Sequence, residues 1–267
     1  MPVTLTVTPH GLAHVTLDRP AKRNALDGAM IASLHDRVAE LATRSDARVV
    51  VVRGAGGTFC AGADIADWVA PSNAVAAEQS RLGTQVFNAV AALPIPSVAV
   101  LEGITVGGGF ELAMACDLRI AAADVRIGLP ELGLGNLPSW GGTARLVDVA
   151  GLGVARHLLL SGELITGARA ADLHVVTSAH ATADLDHAVT ETVDRLLGAE
   201  PLALALAKRA LAGFESHLDQ EDALAAYTAG LDSSRSRKQD FLDRKAAAKS
   251  ARSTAPALTT APEGTAS

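Results

Sequence analysis

Aromatic side chains are almost missing from this sequence. Five Phe, two Trp and one Tyr make up 3% of 267 residues. A core of stacked rings is therefore excluded, and Ala, Val, Leu and Ile must fill it, with close backbone approach at the 24 glycines. Cysteine is as scarce: Cys60 and Cys116 form no CxxC pair, which rules out a disulfide framework and reads as two buried thiols in a reducing cytoplasm. The eight His are scattered and none forms an HExxH pair, so no metal centre is expected. Positive charge is not in excess. With 23 Lys plus Arg against 29 Asp plus Glu the net charge is −6 and the pI about 5.7, so there is no broad basic face for a nucleic acid. The longest uncharged run, between Arg81 and Glu102, is interrupted by Gln85, Asn88, Pro94 and Pro96, a poor membrane span. No GxGxxG follows an early strand, so neither a nicotinamide nor a flavin cofactor is expected.

What remains is a folded chain, 49% hydrophobic and 19% charged, long enough for a large core without staples. The N-terminus alternates apolar and polar residues and reads as a strand pair, 3–8 and 13–18, rather than a signal peptide. Residues 26–43 show helical periodicity with Asp27 as N-cap, and 49–52 is an all-Val run expected of a strand covered on both faces. Helix is predicted at 86–93, 110–117, 142–150, 153–161 and 166–172, and strand at 97–101, 119–122 and 125–127. This alternation predicts α/β. Beyond about 185 the strand signal stops, and 185–197, 201–213 and 219–249 read as helix. The expected organisation is an α/β core over 1–190, a helical region over 191–249 and a disordered tail over 250–267 rich in Ala, Thr, Ser and Pro.

Three stretches carry chemistry. GGTFCAGADI at 56–65 is a glycine-rich turn after a buried strand, where main-chain N–H groups can face a ligand, although such a stretch is commonly no more than a turn. GITVGGGFELAMACD at 103–117 runs three glycines into a helix start, where unpaired N–H groups and the helix dipole suit an oxyanion. On spacing alone its Glu111 reads as an acid that complements the dipole. LPELGLGNLPSWGGTARL at 129–146 puts Glu131 in apolar surroundings, where desolvation raises a carboxyl pKa toward acid–base use; a Glu capping a short turn is the plainer alternative.

In order and spacing these stretches, with DRPAKRNAL at 18–26, resemble the crotonase superfamily, the enoyl-CoA hydratase/isomerase family, from about residue 3 to about 246. The resemblance implies a crotonase-like spiral of strand-strand-helix units with an all-helical C-terminal portion. It implies an oxyanion hole from the backbone N–H groups of Ala63 and Gly108. It implies that Glu111 and Glu131, twenty residues apart, flank a water, with Glu131 giving the proton to the α-carbon and Glu111 holding and activating the water. The spacing itself leaves their division of labour open. Implied contacts with coenzyme A and the acyl group come from Lys22, Arg23, Ala25, Ala61, Asp64, Ile65, Trp68, Gly107, Pro130, Ser139 and Trp140. Phe241, Arg244 and Lys245 resemble a helix that reaches a neighbouring subunit's coenzyme A, but Ser233, Ser236 and Arg237 replace the family's acidic residue and Glu-Gly pair. Trp140 departs from the small residue usual there; it either shapes chain-length preference or packs on the following helix. The polar loop 67–78, with Trp68, is expected to be a mobile wall of the acyl pocket.

The expected activity is addition of water to a trans-2-enoyl-CoA, giving a 3-hydroxyacyl-CoA. Coenzyme A enters as part of the substrate, with no separate cofactor. The alternatives are an isomerase or other specialised crotonase reaction, and a non-catalytic CoA-binding scaffold. The paired glutamates and unbroken glycines favour hydration. The resemblance further implies a homo-trimer, or a hexamer built as a dimer of trimers.

Overall fold

The computed structural model describes residues 1–68 and 73–211 and the isolated positions Ser236, Asp243 and Ala247. One compact unit spans Met1–Arg209. Phe241, Arg244, Lys245, the tail and, apart from Ser236, Asp243 and Ala247, the helix expected at 219–249 lie outside the described residues.

The compact unit is built on a six-stranded sheet. Strands β1 (Val3–Val7) and β2 (Leu12–Leu17) are antiparallel, turning at Gly11. Then β3 (Val49–Gly54), β4 (Ser97–Leu101), β6 (Leu118–Ala122) and β9 (Ser178–His180) add in parallel, in the order β1-β2-β3-β4-β6-β9. The Val run of β3 and all of β4 are buried, as parallel strands with both faces covered must be. A second, three-stranded sheet, ordered β5-β7-β8, joins β5 (Ile104–Val106), β7 (Arg126–Gly128) and β8 (Ile165–Thr166).

Helix α1 (Gly28–Thr43) starts at Asp27, whose side chain accepts the Met30 N–H at 2.8 Å. It buries Met30, Ile31, Leu34, Val38 and Leu41. Helix α2 (Asn73–Ala91) is much longer than the expected 86–93, and it takes up the second half of the expected loop 67–78. Its first turns, rich in Ala and Gln, form helix well while lacking the apolar period that would announce it. Helix α3 (Gly108–Ala115) is buried at every residue, a helix within the core rather than on it. The Arg119 guanidinium, itself buried, donates to the Ala113 and Cys116 carbonyls at its C-terminal end and so anchors α3 from behind. Helix α4 (Gly142–Ser161) covers both helices expected there, broken where predicted by the extended, positive-φ backbone of Gly151. Helices α5 (Gly167–Asp172), α6 (Leu185–Gly198) and α7 (Pro201–Leu211) follow, the last two opening the helical C-terminal portion. No described helix is long and apolar enough to cross a membrane.

The loop before α1 is held by one buried side chain. Arg23 and Asn24 both adopt left-handed backbone (φ 52° and 56°), a conformation Asn tolerates better than most residues. Asn24 Nδ2 donates to the Ala55 and Thr58 carbonyls, and Oδ1 accepts the Arg19 N–H at 2.9 Å. Asn24→Ala leaves two carbonyls and one N–H without their partner and keeps a strained φ. It is expected to cost about 3 kcal/mol, read as a lower urea midpoint at unchanged m-value.

Candidate active site

The site forms where the glycine-rich turn after β3 meets the start of α3. Cys60 pairs with Thr105 of β5, its N–H donating to the Ile104 carbonyl and its carbonyl accepting the Val106 N–H. On the other side Leu26 pairs with Ala63: the Leu26 N–H donates to the Gly62 carbonyl, and the Asp64 N–H donates to the Leu26 carbonyl. The Ala61 N–H donates to Arg23. The 18–26 and 61–64 segments are thus zipped together by main-chain bonds. Gly62, at φ +91°, passes so close to α3 that a Cβ there would lie 3.5 Å from the Gly108 nitrogen and 2.9 Å from the Val106 carbonyl. This turn brings Ala63 beside the α3 N-terminus. The Ala63 and Gly108 N–H groups have no acceptor among the described residues.

Glu111 sits one turn into α3 and is 2% exposed. Its Oε1 accepts the N–H groups of Trp140 at 2.8 Å and Gly142 at 2.7 Å. Gly142 must be glycine for this: a Cβ would meet the Glu111 side chain at 2.8 Å. Burial pushes the Glu111 carboxyl above the usual range, against the pull of those two N–H bonds and the Arg145 charge. Arg145 donates to the Trp140 carbonyl at 2.7 Å and to Asn88 at 2.5 Å, clamping the turn that presents both donors.

Glu131 opens the short turn Glu131–Leu134, just after Pro130. Its Oε2 is buried with no hydrogen-bond partner among the described residues, while Oε1 lies 3.2 Å from where a Gly107 Cβ would stand. Desolvation, with a smaller push from the Glu111 charge, raises this carboxyl to about 7. The native state therefore holds the Glu131 proton more tightly than the unfolded chain, whose carboxyl titrates near 4.5. The associated stability is complete below about pH 4.5 and is lost as pH rises through 7. Full conversion of that shift gives about 3 kcal/mol, and solvent screening at this half-buried group reduces it. Glu131→Gln is expected to be more stable than the parent by about 1–2 kcal/mol at pH 8, the gain fading toward pH 5, as read from Tm against pH.

The other expected site residues divide. Gly107 and Pro130 lie at the glutamates. Ser139 is exposed, its carbonyl accepting the Thr84 hydroxyl at 2.9 Å. Trp140 is 3% exposed and meets Phe87 edge-on, ring centroids 5.4 Å apart. Lys22, Arg23 and Ile65 are exposed and Ala25 is buried; Trp68 ends the short turn Ile65–Trp68. The Asp64 side chain is engaged with Arg19 at 2.7 Å, which holds its carboxyl below the usual range, and Arg19 also pairs with Asp27. Burial pushes the Cys60 thiol up to about 12, so it is no nucleophile. Asn24, Gly62 and Arg145 had no role assigned from the sequence. All three lie inside stretches the sequence singles out, Asn24 in 18–26, Gly62 in 56–65 and Arg145 in 129–146, but those stretches do not by themselves show what each residue holds.

These features define an α/β protein of crotonase architecture, with two carboxyl groups near two backbone donors that have no acceptor among the described residues. The model of the enoyl-CoA hydratase/isomerase family matches residues 8–244. The chain is 31% identical over 236 residues to a short-chain-enoyl-CoA hydratase of Clostridium acetobutylicum, covering 81% of this chain and 90% of that one. It is 35% identical over 211 residues to an (E)-benzylidenesuccinyl-CoA hydratase of Thauera aromatica, covering 79% and 82%. The crystal structure of an enoyl-CoA hydratase from Bacillus anthracis superposes with a TM-score of 0.86 at 28% identity, covering 91% of this chain and 97% of that one. The chain belongs to the enoyl-CoA hydratase/isomerase family.

Proposed function

We propose that this protein hydrates trans-2-enoyl-CoA thioesters to 3-hydroxyacyl-CoA. The observation that carries the reading is the unequal preparation of two neighbouring carboxyl groups at one helix start. Glu111 has one oxygen tied by two backbone N–H groups, which leaves Oε2 to orient and deprotonate a water. Glu131, raised to about 7, still carries a proton in a large fraction of molecules at neutral pH. The thioester oxygen accepts the N–H groups of Ala63 and Gly108. Water adds to the β-carbon, its proton passes to Glu111, and the charge that develops on the thioester oxygen is held by those donors. The Glu131 proton then goes to the α-carbon, and solvent exchange resets both carboxyls. The exposed Lys22 and Arg23 suit the nucleotide phosphates. The same reading includes a trimer-based assembly and a cytoplasmic setting, and light scattering of the purified protein tests the first.

Mixing the protein with crotonyl-CoA and following the enone absorbance tests the reaction. Loss of absorbance with formation of the 3-hydroxy product is expected. Turnover of a 3-enoyl-CoA to the 2-enoyl isomer without hydration would replace the reading by isomerisation. CoA binding with no reaction on either substrate would replace it by a scaffold.

A further inference from the structure

Trp140 is one of only two tryptophans in the chain, and two backbone positions are bare to receive its ring. A Cβ on Gly108, at the start of α3, would lie 2.3 Å from Trp140 Cζ3. A Cβ on Gly83, in the interior of the 19-residue helix α2, would lie 2.3 Å from Trp140 Nε1. Glycine is the poorest helix former after proline, so its use at Gly83 answers to the indole lying against it. Phe87, one turn further along α2, closes on the ring at an interplanar angle of 83°. The main chain of Trp140 is fixed at both ends, its N–H on Glu111 and its carbonyl on Arg145. The ring is therefore a wedge held between the α3 start and α2, not a gate.

Its position bears on the acyl group. An acyl chain whose thioester oxygen meets the Gly108 N–H and whose β-carbon meets Glu111 is pinned on two groups that Trp140 touches. On that reading its γ-carbon and the atoms beyond would come up against the indole packed on Gly108. We propose that Trp140 is the chain-length stop of this protein: the ring fills the space between α2 and α3 that longer acyl chains would need, and so restricts the protein to short acyl groups. This rests on the thioester-binding reading above. It goes further in naming the residue that selects among thioesters.

Truncating the ring tests it. A Trp-to-Ala change vacates a space on the order of the ~150 Å³ apolar cavities that stay dry and accept small apolar guests, and each buried methylene is worth about four-fold in binding. Titration calorimetry with the saturated thioesters butyryl-CoA and decanoyl-CoA measures length preference without any turnover. In Trp140→Ala the decanoyl-to-butyryl affinity ratio is expected to rise about ten-fold or more over the parent, with Trp140→Phe in between at about three-fold. Should Trp140→Ala fail to fold, as judged by circular dichroism, Trp140→Phe carries the test alone. An unchanged or lowered ratio in the folded variants overturns the proposal while thioester binding stands. Failure of the parent to bind either thioester overturns both readings.

Discussion

Glu131→Gln is expected to lower crotonyl-CoA turnover by about 10³–10⁴-fold, with butyryl-CoA affinity within a few-fold of the parent. The substitution keeps the shape of a group whose Oε2 is buried with no partner among the described residues, and it removes the proton that the proposed reaction delivers to the α-carbon. Because Glu131 sits at about 7, the parent's rate for the step that uses this proton should fall as pH rises above 7, and the residual rate of the variant should lack that limb. Stopped enone assays from pH 5.5 to 9 read both effects. Parent-like turnover in the variant would remove Glu131 from the reaction. The same substitution stabilises the fold at pH 8, so activity and stability are expected to move in opposite directions, as they do where a site stores an unfavourable desolvation.

The second large effect separates chemistry from architecture at Glu111. Glu111→Gln retains a carbonyl oxygen able to accept the Trp140 and Gly142 N–H groups, so its Tm should stay within a few degrees of the parent. Its turnover should still fall about 10²–10⁴-fold, because an amide cannot take a proton from water. Glu111→Ala removes the acceptor from two buried N–H groups and opens a cavity beside α3. It should lose activity and also about 3–4 kcal/mol of stability. Equal melting of the Gln and Ala variants would show that the turn carrying Trp140 and Gly142 does not depend on Glu111.

Much of this was legible from sequence where a physical period or a crowded motif spoke. The Val run of β3 and the 3.6-residue spacing of Met30, Ile31, Leu34, Val38 and Leu41 in α1 announced themselves because burial of a face repeats along the chain. Strands β5, β8 and β9, three residues or fewer, carry no period and were not foreseen. The opening of α2, residues 73–78, reads as loop from sequence because no apolar period recurs in it. Asn24 was opaque for another reason: its partners stand 31 and 34 residues away, and a lone polar residue in a basic loop gives no sign of being buried. Arg145 and Gly83 show the same limit, since each matters through a tertiary neighbour, Trp140 in both cases. The two glutamates were found by motif. Their inequality, one oxygen of Glu111 tied down and one of Glu131 left bare, belongs to the packing.

The parts of this site that need the tightest geometry are positions with no side chain at all. Gly62, Gly108, Gly109 and Gly142 each stand where an added Cβ would strike the Val106 carbonyl, the Trp140 ring, the Cys60 carbonyl or Glu111 at 2.9 Å or less. No amino acid is smaller, so Gly62 and Gly109, hemmed in by main chain, have nowhere to drift, while Gly108 and Gly142 are tied to the side chains packed on them, Trp140 and Glu111. The walls are different, because a ring such as Trp140 can be traded for many sizes. A protein built this way inherits its chemistry as a fixed frame and diversifies by refurnishing the room around it.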